Sequence, residues 1–150
     1  MAFDITATLN AIGSFLEAGG YFTAGVVRGE PKLPFSGRAT AYWMNGFSVY
    51  EATLAAPREI HRVAVRFYTP FLEDPTGKIE TDLASAASKL LEDLSGDLDL
   101  GATITNVDIA GSVGEPLNGI WGHVTLGDTV YRVVDIDIPL LVDDTATFTQ

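Results

Sequence analysis

The stretch GEPLNGIWGHVTLGDTVYRVVDIDIPLLVDD, Gly114 to Asp144, decides the fold class. Gly127-Asp128 is a two-residue turn between Ile120 to Leu126 and Thr129 to Val142, and glycine at the first central position suits a type II′ hairpin. In the second strand the even positions Val130, Val134, Ile136, Ile138, Leu140 and Val142 are apolar, with Arg132 the exception. The odd positions carry Tyr131, Asp135 and Asp137. Side chains alternate across a strand, so one face of this ribbon is expected to pack and the other to stay polar. Pro139 has no N–H for a ladder bond and is expected at a sheet edge or where regular pairing ends.

Working outward, Arg38 to Tyr50 and Glu59 to Thr69 read as two more strands joined by a connection containing Pro57, an expected hairpin. In the second of them His61, Val63, Val65 and Phe67 share one face, and Arg58, Ile60, Arg62, Ala64, Arg66 and Tyr68 share the other. The first face reads as core. The second spaces its arginines four residues apart, about 13 Å per step at strand rise, and ends in an aromatic ring. Such a stripe is either a solvated face whose stems cover apolar neighbours or a contact surface. Thr103 to Ala110 reads as a further strand, closed by Gly111, Gly114 and Pro116.

Two amphipathic helices flank these strands. From Asp4 to Ala18 the apolar Ile5, Leu9, Ile12 and Leu16 form one stripe, with Asp4 as N-cap and Gly19-Gly20 as the stop. The second helix starts between Pro75 and Thr81, ends before Gly96, and places Ile79, Leu83, Ala87, Leu90 and Leu94 on one face. Between the first helix and the first long strand, Tyr21 to Gly37 is broken by Gly25, Gly29, Pro31, Pro34 and Gly37 and reads as an extended arm or long loop. Its Leu33, Pro34 and Phe35 suit contact with a neighbouring subunit or with the chain's own domain. The polar tail, 145 to 150, is expected to be flexible or to dock on a partner. Together these elements predict one α+β domain over residues 1 to 150: a mainly antiparallel sheet of about four to six strands with two helices packed on one face.

The chain has 150 residues, 47% hydrophobic and 19% charged, which argues against disorder. It has no cysteine, so disulfides, thiolate catalysis and thiolate metal sites are excluded. The first basic residue is Arg28, unlike a signal peptide, and no apolar run reaches the roughly 20 residues of a membrane helix. A soluble protein made in a cytoplasm is expected. Net charge is −11, divided as +1 over residues 1 to 72 and −12 over 73 to 150. An acidic surface disfavours wrapping of nucleic acid, whose binding depends on phosphate neutralisation. It reads either as ordinary solubility or as a wall past which DNA slides.

Catalytic groups do not converge. His61 falls on an apolar strand face and His123 near the hairpin turn, patterns commoner for packing than for a general base. Asp135-x-Asp137 can present two carboxylates on one face, but no histidine or third acid has suitable spacing to complete a Mg²⁺ site. No nucleophile-elbow, phosphate-loop or dinucleotide motif occurs. No helix-turn-helix or aromatic-basic sheet motif occurs either, and the second helix is acidic at Glu80, Asp82, Glu92 and Asp93. Trp43 and Trp121 read as core or interface residues. The expectation is a non-enzymatic chain with no cofactor and no metal.

Three segments taken together carry a resemblance: the stretch Gly114 to Asp144, RFYTPFLEDP at Arg66 to Pro75, and LSGDLDLGATITNVDIAGSVGEP at Leu94 to Pro116. With the N-terminal helix and Glu30-Pro31 in the loop before the strands, this ordered set resembles the tail terminator proteins of long-tailed, siphovirus-type actinobacterial phages. The resemblance implies a virion protein of the neck. It would form a ring, in this family usually a hexamer, that caps the tail tube, ends its polymerisation and offers a surface for head-to-tail joining. The implied partners are other copies of the chain, the major tail tube protein and head-tail connector proteins, with DNA passing through the ring unbound. Candidate interface residues are Arg58, Arg62, Arg66, Tyr68, Leu33, Phe35, Asp135 and Asp137. A head-completion or adaptor protein of the neck is one alternative, and a small ligand-binding or enzymatic α+β domain is another.

Overall fold

In the computed structural model, residues 4–21, 25–34, 37–51, 58–70, 76–97, 100, 106–111 and 114–143 are described. Helix α1 spans Ile5–Gly19. Asp4 accepts a hydrogen bond from Ala7 N, as an N-cap should, and Gly20 ends the helix in the left-handed conformation at φ 59°. The strands are β1 (Val26–Arg28), β2 (Ala39–Glu51) and β3 (Arg58–Pro70); helix α2 (Thr76–Ser95) follows, then β4 (Asn106–Val107), β5 (Asn118–Leu126) and β6 (Thr129–Asp143).

All six strands form one sheet in the order β1-β2-β3-β6, with both β4 and β5 alongside the far edge of β6. Strand β5 pairs with Thr129 to Asp137, and β4 with Leu140 and Leu141, so six strands occupy five positions. Among the described strands only β1 runs parallel to its neighbour. The sheet is therefore mixed and mainly antiparallel, and the expected α+β architecture is the one observed.

The 127–128 turn agrees with a type II′ hairpin. Gly127 has φ +59°, while Asp128 is not among the described residues of positive φ, as a type I′ turn would require.

Both helices lie on one face. Val63, Val65 and Phe67 of β3 stand opposite Ile138, Ile136 and Val134 of β6. Ile12 and Leu16 of α1 and Ile79, Leu83, Leu90 and Leu94 of α2 join them in one buried cluster. The periodicities of two in the strands and of three to four in the helices thus meet at one layer. Arg132, the even-numbered exception, closes the end of this layer. Its Nε donates to Glu80 Oε1 of α2 at 2.8 Å, and its guanidinium lies 5.5 Å from the Trp121 ring centroid.

Four expectations need correction. The odd-numbered face of β6 is not simply polar: Tyr131 and Val133 are fully buried with Tyr68, Ala41 and Leu126 in a second cluster. Pro139 sits in the middle of a central strand, opposite Arg62. Its carbonyl accepts from Asp108 N at 2.9 Å, so its nitrogen points to the same side, into the gap between β5 and β4, and no ladder bond is lost. The strand expected over 103 to 110 is reduced, in its described part, to Asn106–Val107, with a turn at Ile109 and Ala110. Residues 103 to 105 lie outside the described residues, as does the tail 145 to 150. Finally, the expected loop of 21 to 37 contains β1, whose Val26 to Arg28 pair with Thr40 to Tyr42.

Candidate functional site

The face of the sheet opposite the helices carries the candidate residues. Register brings Arg66 of β3 level with Asp135 of β6 and Ala41 of β2, and Ala64 level with Asp137 and Trp43. The next strand adds Ile120 opposite Asp135 and Asn118 opposite Asp137. Trp43, Asn45, Ala64, Arg66, Asn118, Ile120, Asp135, Ile136 and Asp137 line a groove of about 270 Å³.

Arg66 is its most constrained member. Nε donates to Asp135 Oδ1 in a short contact, and Nη2 donates to Asp135 Oδ2 at 3.0 Å, a bidentate pairing. The guanidinium also stacks 5.0 Å from the Trp43 ring centroid and donates from Nη1 to the Tyr68 hydroxyl at 3.4 Å. Glu30 Oε1 lies 3.8 Å from Nη1. Burial by itself would lower the Arg66 pKa, but the hydrogen bonds that Arg66 donates to Asp135 and Tyr68, with the accompanying charge interactions, outweigh it, and the group is held above its ordinary value. Burial is likewise the chief reason that the Tyr68 hydroxyl is pushed up. Arg66 is therefore a fixed cation.

Arg62 has a second job. Its Nε donates to Asp137 Oδ2 at 2.5 Å, and its Nη2 reaches the carbonyls of Glu115 and Pro116, each at 3.4 Å. The GEPL turn at Gly114 to Leu117 is thus pinned to β3 through main-chain acceptors, not through the Glu115 side chain. Asp137 keeps one oxygen, Oδ1, buried without a hydrogen-bond partner among the described residues.

These pairings lie within one chain and occupy four of the candidate interface residues with one another. Asp135 and Asp137 neutralise Arg66 and Arg62 within one chain. Arg58 begins β3, opposite Asp143. Tyr68 is fully buried and packs edge-to-face on Tyr131, centroids 5.6 Å apart, so it offers no surface to a partner as the chain stands. Leu33 is 77% exposed. Phe35 lies outside the described residues. The described part of the loop touches its own sheet: Glu30 approaches Arg66, and Pro34 stands 3.4 Å from where a Cβ on Gly127 would be.

Neither histidine lines the groove. His61 lies on the helix face, its Nε2 2.9 Å from Glu59 Oε1 and its ring stacked on Phe47 at 5.6 Å. Among the described residues no group of three or more histidine, cysteine or acidic side chains is placed to hold a metal ion. Among the described residues no helix is long and apolar enough to cross a membrane.

Sequence reasoning missed Trp43 and Glu30 as partners of Arg66. The signal for Trp43 was its parity in β2, usable only once the register with β3 was known. A further polar cluster ties the helices together: the Tyr21 hydroxyl donates to Asp93 Oδ2 at 2.7 Å, and Lys89 Nζ reaches Asp93 at 3.2 Å and the Gly19 carbonyl at 2.9 Å. Those hydrogen bonds, from Tyr21 first and Lys89 second, hold the Asp93 carboxyl below its ordinary value, and burial with the Asp93 contact raises the Tyr21 hydroxyl well above its own.

A scan against protein-family models finds no match to this chain, and neither does a search of the curated proteins.

Proposed function

We propose that the chain is a non-enzymatic virion protein that assembles into a ring at the end of a phage tail tube, stops tube growth and presents a surface for head-to-tail joining. The observation that carries this reading is the ordered set of sequence segments, from the N-terminal helix through Glu30-Pro31, the arginine-bearing strand and the GEPL turn to the closing Val-Asp-Asp. The groove face is compatible with it. Arg62 and Arg66 are matched by Asp137 and Asp135, so an acidic chain presents a surface of cancelled charge where copies or tube subunits can approach. The mechanism is binding alone: one ring face matches the tube and the opposite one does not, so addition ends.

The test is the mass of the purified protein, free and mixed with growing tail tubes, together with images of the tube ends. Capped tubes of limited length with a ring of about six copies at one end are expected. Tubes that grow on unaffected, with the protein remaining monomeric, overturn the reading. A ring found only on the portal side of the neck makes the protein an adaptor.

A further inference from the structure

Among the described residues, strand β5 is a sheet edge without the usual protection. No described strand pairs with its outer side, and its register with β6 runs from Asn118 to Leu126 without a bulge, about 30 Å of unbroken edge. Natural edges are commonly blocked by charge, proline, bulges or brevity. The nine residues NGIWGHVTL contain no proline and no Asp, Glu, Lys or Arg, in a chain of net charge −11. Leu126↔Thr129 closes the two-residue turn, so alternate residues bond to β6 and the N–H and C=O groups of Gly119, Trp121 and Thr125 point outward. Ile120 is 67% exposed and Trp121 40%.

Among the described residues, the opposite side of the sheet has a second open edge. Strand β1 covers β2 only from Thr40 to Tyr42. Beyond it no described strand pairs with the outer side of β2, whose residues 39 to 50 are also without charge. Between the two bulges of β2, Gly46 to Val49 pair regularly with β3. Phe47 and Val49 stand 69% and 52% exposed.

We propose that β5 is a joining strand whose outer edge adds to the Gly46–Val49 stretch of β2 in a second copy of this chain, so that the sheet continues from copy to copy. Direction fits. The pairs β2·β3, β3·β6 and β6·β5 are each antiparallel, so β2 and β5 run oppositely, and a copy repeated along the sheet presents β2 antiparallel to β5. Side chains fit as well. Trp121 stands opposite Val134, and Phe47 opposite His61, which places both on the helix face, where joining sets the indole beside Phe47 and Val49. Charge fits too, because these are two neutral edges on molecules that otherwise repel. Because the two edges differ, the contact is head-to-tail and leaves each new copy with one edge still open. The joint deepens the ring reading and rests on it only for closure.

The absence of cysteine allows a direct test. Phe47→Cys and Trp121→Cys are made in separate chains and oxidised alone and mixed. A cross-linked dimer is expected in the mixture only. Thr125→Pro removes an outward donor while leaving the ladder to β6 intact, and is expected to lower the assembled fraction at least about tenfold, with the circular dichroism of the parent retained. Should that chain fail to fold, Ile120→Lys places a charge on the same edge and is read in the same way. Dimer formation by Trp121→Cys alone means that copies pair β5 to β5 and overturns the proposal. No cross-link in the mixture, or undiminished assembly of the edge variants, also overturns it. Tubes capped by the parent without the cross-link sink the joint and spare the ring reading; the cross-link without capping does the reverse.

Discussion

The two faces of this sheet are made from alternate residues of the same strands, yet they are held in different ways. On the helix face, Val63, Val65 and Phe67 meet Val134, Ile136 and Ile138, with helices laid over them, and area removed from water supplies the stability. On the opposite face a small apolar cluster around Tyr68 and Tyr131 gives way to ion pairs beside an open groove. The first arrangement tolerates exchange of one apolar group for another of similar size. The second depends on geometry, since a half-buried guanidinium is satisfied only while its carboxylate stands across from it. A face of that kind is a scaffold for recognition, because its shape and charge are set before any partner arrives.

The contrast breaks first under truncation. Phe67→Ala and Leu83→Ala, each removing a fully buried side chain from the helix face, are expected to lower stability by about 3–5 kcal/mol, read by urea unfolding. A loss near 1 kcal/mol would mean that the helices do not clamp the sheet as described.

On the groove face the expected effect is smaller and differently distributed. Arg66→Met should cost about 1–3 kcal/mol because it leaves Asp135 without its bidentate donor, while Arg66→Met with Asp135→Asn should cost less than the two single changes added together. Additive losses in that double-mutant cycle would show that the pair is not coupled. The same geometry argues that reversing Arg66 to glutamate weakens the fold itself.

How much of this could be read from the sequence follows the same division. Period two in 130 to 142 and in 59 to 69, and the stripes of the two helices, gave the helix face almost residue by residue, because burial against one layer leaves a periodic trace. The groove face left a weaker trace. Arginines four apart and aspartates two apart were visible, but their meeting within one chain required the register of β3 with β6, a long-range fact that no local pattern encodes. Strand β1 was hidden because three residues between Gly25 and Gly29 are too few to show a period. Pro139 misled for a related reason: its tolerance depends on where β5 stops and β4 begins.

The hairpin turn links the two faces. Gly127→Ala forces a side chain at φ +59° and brings its Cβ to 3.4 Å from Pro34, which should lower stability by about 1 kcal/mol, measured by thermal unfolding. An unchanged midpoint would mean that the turn and the loop give way together.

Acid distinguishes the helix layer once more, with the smallest effect. Hydrogen bonds from Lys78 and Arg38 hold the Asp82 carboxyl below its ordinary value, and those from Tyr21 and Lys89 do the same for Asp93. A carboxyl with a lowered folded pKa binds its proton more weakly in the folded chain than in the unfolded one. Its contribution is therefore present above the unfolded value of roughly 4 and is lost as the pH falls through the lower folded value. Both groups are partly exposed and screened by solvent, so the loss is modest. Unfolding midpoints in urea at pH 7, 5 and 3 should decline mainly over the last interval. Asp82→Asn and Asp93→Asn should each flatten that decline and lower the midpoint at pH 7. Parallel declines in parent and variants would assign the acid sensitivity to carboxylates elsewhere, and the groove face, with Asp135 and Asp137, would be the next place to measure.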